Sequence, residues 1–269
     1  MNKDQASQRP EFVPIGVDKL ALLATFQLDK YQEILNKASF RHLFIPSGEH
    51  CLPDLLIEVH YQLIAQHEYL ALSEQALLGV DLRIKEIDKI LWNDQDKDKN
   101  TASLFPSNSQ HHLKAMDDED KLHASMDIGM FAANFKTFMY QSATVSLWSI
   151  LEQALDQTAR DVVGQKILEE LKRKELKSET STQPLYKNLL RWIGEYLDTD
   201  ALSPFLNDDE LSGFKDIRNH CAHGISNTPP SARDVKLYFF KVTEILSAID
   251  NEPKIINRIN EGINSRKLF

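Results

Sequence analysis

The run Arg218-Asn219-His220-Cys221-Ala222-His223-Gly224 places a permanent cation, an amide and two imidazoles within about two helical turns. These groups suit cleavage of an RNA phosphodiester without metal. That reaction needs one group to accept the 2′-hydroxyl proton, one to protonate the leaving 5′-oxygen, and positive charge on the pentavalent phosphate. Imidazole titrates near neutrality, where one residue can donate or accept, so His223 is the candidate acid or base. Arg218 is the candidate for the fixed charge, with Asn219 orienting His223 or binding phosphate. His220 is a second donor by type, or an ordinary core or surface histidine. On a regular helix Asn219 and His223, four apart, share a face, whereas Arg218 and His223, five apart, diverge by about 140°. A long Arg side chain, unwinding toward Gly224, or a two-fold pairing of chains would bring guanidinium and imidazole onto one phosphate. A plainer role exists for the same residues, since Arg and His at a helix end also bind its last carbonyls.

The elements that must position this run are helical. Glycine is scarce, and apolar residues recur at three- and four-residue intervals with little period-two alternation, which predicts an all-α fold. After Pro53, Leu56, Leu63, Leu70, Leu77, Ile84 and Leu91 recur every seven residues, one seam on a helix from Asp54 to Trp92. Unbroken, it would reach roughly 55–60 Å, so either a bend at Gly79 or a partner chain is expected. Residues 93–125 are polar and read as a linker, dividing an N-terminal region, 1–125, from a helical domain, 126–269. The regular pattern resumes at Met130, with a helix ending near Gly164 and a charged one following to about Lys177. Pro184 opens the next, carrying Leu185, Leu189, Leu190, Ile193 and Leu197. Asn207-Asp208-Asp209 caps the helix that bears the motif, which Gly224 should terminate. Ser231 and Asp234 form a capping-box pattern ahead of the last clear helix, with Val235, Phe239, Val242, Ile245 and Leu246 on its buried face.

Arg218 followed by Asn219, and His223 followed by Gly224, late on one helix and directly before another with an apolar face, resembles the HEPN family over residues 130–250. The resemblance implies an up-and-down helical bundle, to which the long N-terminal helix is an addition. It also implies a metal-independent endoribonuclease that leaves a 2′,3′-cyclic phosphate, with Arg218, Asn219 and His223 catalytic. Glu152 lies in a long apolar helix where many such domains carry an acid, and would hold Arg218 through a bidentate pair. A homodimer with the cleft at its interface, and a toxin or antiphage role with a cognate antitoxin or defence-system partner, are further implications. Some domains of the family are non-catalytic, so a helical interaction or nucleotide-binding module is the alternative.

Composition constrains the rest. The 269 residues are 42% hydrophobic, enough for a core, and the net charge of −9 argues against a general nucleic-acid binder, although a nuclease can focus positive charge locally. Cys51 and Cys221 form no disulfide framework, and Met1 to Pro10 carries no apolar leader, so a cytoplasmic protein without membrane segments is expected. His60, His67 and Glu74 fall on one face of the long helix, but seven-residue spacing is poor for a metal pair, and seam residues are the expected role. His111, His112 and His123 bracket the acidic run Asp117 to Asp120 and read as solvated loop, while the Lys166 to Lys177 helix mixes both charges and reads as a solvated face. No cofactor-binding or zinc motif is visible, so none is expected.

Overall fold

A computed structural model describes residues 11–15, 40–46, 54–92, 118–177, 183–223 and 229–266 of the chain. The fold is all-α. Its described helices are α1 (Asp54–Trp92), α2 (Asp118–Val163), α3 (Gln165–Lys177), α4 (Leu185–Leu197), α5 (Asp209–Ala222), α6 (Ala232–Asp250) and α7 (Pro253–Arg266), with a 3-10 turn at Ser203–Asn207.

The leucine seam of α1 is used within the chain. Leu56, Leu63, Leu70 and Leu77 are buried, and α1 lies along α2. Glu74 meets Tyr140 while Leu55 and Glu58 lie by Gln153 and Asp156, so the two helices are antiparallel. The helix runs unbroken through Gly79, around which there is open space. Thus the seam from Leu56 to Leu77 is covered within the chain by a second long helix; α2, of 46 residues, spans roughly 69 Å.

That second helix begins at Asp118 and crosses position 125, so the domain boundary expected at 125/126 falls inside α2, and buried residues from both regions form one core. The polar reading of 118–125 overlooked that an acidic opening suits the positive end of a helix. Residues 93–117, with His111 and His112, lie outside the described residues, as do Cys51 and Gly224. His123 is exposed on α2.

The second half of α2 is the central element, packed against α4, α5, α6 and α7. Trp148 sits edge-on to Tyr186 of α4 and Phe214 of α5, with ring centroids 5.2 and 5.0 Å away. Phe214 in turn stacks on Tyr238 of α6 at 3.9 Å. Four helices are therefore locked through one aromatic cluster, whose two edge-on contacts at Trp148 add to its area burial. At Gly164 the backbone reaches φ +92°, which only glycine adopts without strain, and this ends α2. Helix α7 was not foreseen: Pro253 opens it at its first position, and Ile255, Ile256 and Ile259 are buried.

The helix ends follow their capping residues. Ser231 and Asp234 make a full capping box, and Asp208 caps α5 by accepting from the Leu211 N–H at 2.9 Å. Asp208 also binds Lys241 of α6, which reaches Glu210 and Glu244 as well. Asp208→Ala removes both the cap and the best-buried of these carboxylates, and should destabilise the fold by about 1–2 kcal/mol. Asp208→Asn, which keeps a capping oxygen, should recover most of this in urea titrations; equal losses in both variants would refute the capping explanation.

Two N-terminal segments complete the core. Phe12, Ile15, Phe40 and Phe44 are buried against the α1 side, and the predicted line His60–His67–Glu74 binds their backbone. Glu74 accepts from the Phe12 N–H at 2.9 Å and the Tyr140 hydroxyl at 2.6 Å. The His60 ring donates to the Phe44 carbonyl at 2.6 Å, and His67 Nε2 to that of Val13 at 2.9 Å. Among the described residues, no group of three or more His, Cys, Asp or Glu is placed to hold a metal ion, and no helix is long and apolar enough to cross a membrane.

Candidate functional site

The register of α5 on α2 decides where the motif points. Leu211 and Phe214 bury one face of α5, and Arg218, one turn beyond Phe214, continues it. On α2, Glu152 stands one turn beyond Trp148 in the same way. Because Trp148 packs on Phe214, the next turn of each helix brings Glu152 Oε2 to 3.6 Å from Arg218 Nη2. Residues 66 positions apart in the chain are thus joined by helix register alone. The contact is a single ion pair rather than the bidentate pair the sequence suggested. The spacing Trp-x-x-x-Glu against Phe-x-x-x-Arg was present in the sequence, but only the pairing of α2 with α5 gives it meaning.

Asn219 turns its side-chain carbonyl to Arg218, accepting from Nη1 at 2.9 Å. Its side chain therefore orients the arginine, whereas the sequence had assigned it to His223 or to phosphate. The guanidinium is fixed on two sides, yet its Nε is buried without a hydrogen-bond partner. A buried donor left unpaired costs about 1–3 kcal/mol, more on a charged group, so this arrangement is not one that stability alone favours.

Helix α5 ends at Ala222, and His223 is its C-cap, with φ −97° and its N–H directed to the Asn219 carbonyl at 3.1 Å. The His223 and His220 side chains are exposed. Cys221 between them is half-buried, and burial pushes its thiol up, away from the thiolate form that a nucleophile would need. The structure therefore brings Glu152, Arg218 and Asn219 together, and leaves both histidines at the rim of this cluster, open to solvent.

Charged residues continue along α2 beyond the cluster. One turn beyond Glu152, Asp156 binds Arg160 at 2.7 Å and also Lys172 of α3. Burial by itself would raise the Asp156 carboxyl, but the hydrogen bonds from Lys172 and Arg160 outweigh it and hold the group below the usual carboxylate range. The mixed-charge helix α3 thus supplies a cation to this edge of the site. Surface depressions at Ile57/Tyr61, at Arg41/Phe240 and at Glu58/Gln153 do not include Arg218 or His223. Comparison with family profiles, with curated proteins and with solved structures finds no match to this chain.

Proposed function

We propose that the chain is a HEPN-type, metal-independent endoribonuclease that acts on RNA and leaves 2′,3′-cyclic phosphate ends. The observation that carries the reading is the Arg218 guanidinium, gripped by Glu152 and Asn219 at the cost of an unpaired buried Nε, on the helix whose end bears an exposed His223 five residues on. A pre-oriented cation beside an imidazole is what an in-line attack by a 2′-oxygen requires. His223 would take the 2′-hydroxyl proton as the 2′-oxygen bonds to phosphorus, and the 5′-oxygen would leave with a proton from a second imidazole or from water. Two chains would together supply the two imidazoles if a homodimer faces its motifs across one cleft. A toxin or antiphage effector in the cytoplasm, held by an antitoxin or a defence-system partner, is the setting this activity fits.

The test is metal-free cleavage of mixed RNA with EDTA present and with product ends analysed. Wild type should release cyclic-phosphate ends, and Arg218→Ala should not. If wild type cuts nothing, or Arg218→Ala cuts equally well, the nuclease reading fails. A second reading, a non-catalytic helical interaction or nucleotide-binding module, is favoured by one observation: the Glu152–Arg218 pair also ties α5 to α2. In that case Arg218→Ala would lower stability and nothing else.

A further inference from the structure

Between α1 and α2 lies a groove of about 350 Å³ that the proposed reaction does not use. Leu55 and Val59 of α1 give it an apolar wall. Most of the polar groups around that wall are acceptors. Glu58 is exposed, and its Oε1 takes one bond from the Gln62 amide at 3.3 Å, which leaves Oε2 open among the described residues. Gln62 and Gln157 spend their amide nitrogens on Glu58 and Asp161, so each keeps a carbonyl oxygen to offer. The donor of the groove is Arg160 on α2. Its Nε is fixed to Asp156 at 2.7 Å, and Lys172 holds the same carboxylate, while both Arg160 Nη groups make no hydrogen bond among the described residues. The charges of Glu58, Asp156, Arg160 and Lys172 cancel, so the groove suits a neutral ligand with donors on one edge and acceptors on the next.

We propose that this groove binds a guanine base and, resting on the nuclease reading, that this is the base beside the scissile phosphate. Guanine is the standard RNA base with two adjacent donors, N1–H and N2–H, on its Watson–Crick edge, and these match the two oxygens of the Glu58 carboxylate. Its O6 and N7 acceptors lie on the adjoining edge and match the paired donors of a guanidinium. Glu58 on α1 and Arg160 on α2 line the two walls of one groove, so a ring held between them meets both, with Leu55 and Val59 against its face. Adenine would set its N1 lone pair, and cytosine its N3 lone pair, against the Glu58 carboxylate. Uracil would set a carbonyl there. Each is refused by repulsion as well as by a missing bond. The tie to Asp156 holds Arg160 in place before binding, which lowers the cost of ordering it. Asp156 also stands one turn along α2 from Glu152, the partner of Arg218. Groove and guanidinium therefore occupy neighbouring strips of one helix, about 10 Å apart across its width, so a nucleotide whose phosphate lies on Arg218 can reach the groove with its base.

Binding and cleavage are measured apart. Fully 2′-deoxy pentanucleotides lack the attacking 2′-hydroxyl and cannot be cut by this route. By fluorescence anisotropy, one with guanine at its centre and thymine elsewhere should bind the full chain at least about tenfold tighter than one with adenine at its centre. Glu58→Gln turns an amide N–H toward the guanine donors and should abolish this preference. Arg160→Gln should weaken the guanine oligonucleotide about tenfold and leave the adenine one unchanged. Both side chains are exposed, so helical circular dichroism should match wild type in both variants. Equal affinities in wild type, absence of binding included, or a guanine preference that survives Glu58→Gln, would overturn the inference. In metal-free cleavage of mixed RNA, cuts should cluster beside guanines and spread to other bases in Glu58→Gln. Cuts without base preference would remove the groove from the reaction and leave the nuclease reading standing, whereas guanine-selective binding without cleavage would keep the groove and remove the nuclease reading.

Discussion

Replacing His223 by alanine is expected to slow metal-free RNA cleavage by about 10²- to 10⁴-fold, the range for a positioned proton-transfer group. The side chain is exposed and its backbone N–H makes the capping bond, so the alanine variant should unfold at the same urea concentration as wild type. This separation of activity from stability distinguishes catalysis from the ordinary role of a histidine at a helix end, which would move stability by roughly 0.3–1 kcal/mol and leave the rate alone. Glu152→Gln supplies a second discrimination. Glu152 touches Arg218 and is a positioning residue, so its amide should leave substrate affinity largely intact while reducing the maximal rate, as the guanidinium loses its pre-set direction. Arg218→Lys should not rescue Arg218→Ala, because an ammonium cannot serve Asn219, Glu152 and a phosphate at once with the planar fork that arginine presents. Full activity in His223→Ala would remove the residue from the reaction and leave Arg218 as an anion-binding group only.

The contrast between what was legible in the sequence and what was not follows from where information resides along a helix. Periodicity and caps are local, which is why α1 from Asp54 to Trp92, the Asp208 cap and the Ser231–Asp234 box could be read directly. Three failures share the opposite character. The seam of Leu56, Leu63 and Leu70 was visible, but its occupant, the antiparallel α2, is a non-local fact. The start of α2 at Asp118 was hidden because a polar first turn has no apolar period to detect. The buried Phe12, Phe40 and Phe44 lie in short irregular segments, where no periodicity exists and only contact with His67, His60 and Glu74 reveals their place. The site divides in the same way. Glu152, Arg218, Asn219, His220 and His223 could be named as types, whereas the meeting of Glu152 with Arg218, and the turning of Asn219 to Arg218, depend on the Trp148–Phe214 contact one turn away.

Stability should fall steeply as pH drops below about 6.5, the ordinary histidine value. The cause is a chain of buried imidazoles that have room for only two protons. His67 Nε2 faces the Val13 carbonyl, which can only accept, so that nitrogen carries the proton. His67 Nδ1 is then a lone pair and accepts from His42 Nε2 at 3.0 Å, which leaves His42 Nδ1 as a second lone pair, buried and without a partner. Any further proton has no acceptor to point at. Burial, followed by the charges of His67 and Lys236, lowers His42 to about 3, and burial also lowers His60 and His67, against the partial opposition of the Phe44 and Val13 carbonyls and, for His67, of Glu68 and Glu74. With folded values below the unfolded one, the unfolded chain binds more protons across this window. The contribution of these groups is therefore complete above about pH 6.5 and is lost as pH falls below it, for His42 down to about 3. While His42 stays neutral in the folded chain its slope is about 1.4 kcal/mol per pH unit, so it alone removes about 2 kcal/mol by pH 5. Burial raises the carboxyls of Asp156 and Asp208, but hydrogen bonds from Lys172 and Arg160 to the first, and from the Leu211 N–H and Lys241 to the second, hold them low, so they add a separate loss only below the ordinary carboxylate range. Urea titrations at pH 7.5, 6 and 5 measure the slope directly. In His42→Phe, whose ring keeps the contacts with Phe12 and Phe239, the slope should shrink by about one proton even if the absolute stability drops. A flat profile in wild type would mean that the His42–His67 pair opens to water before it charges, and that segments 11–15 and 40–46 are not held to α1 by neutral imidazoles.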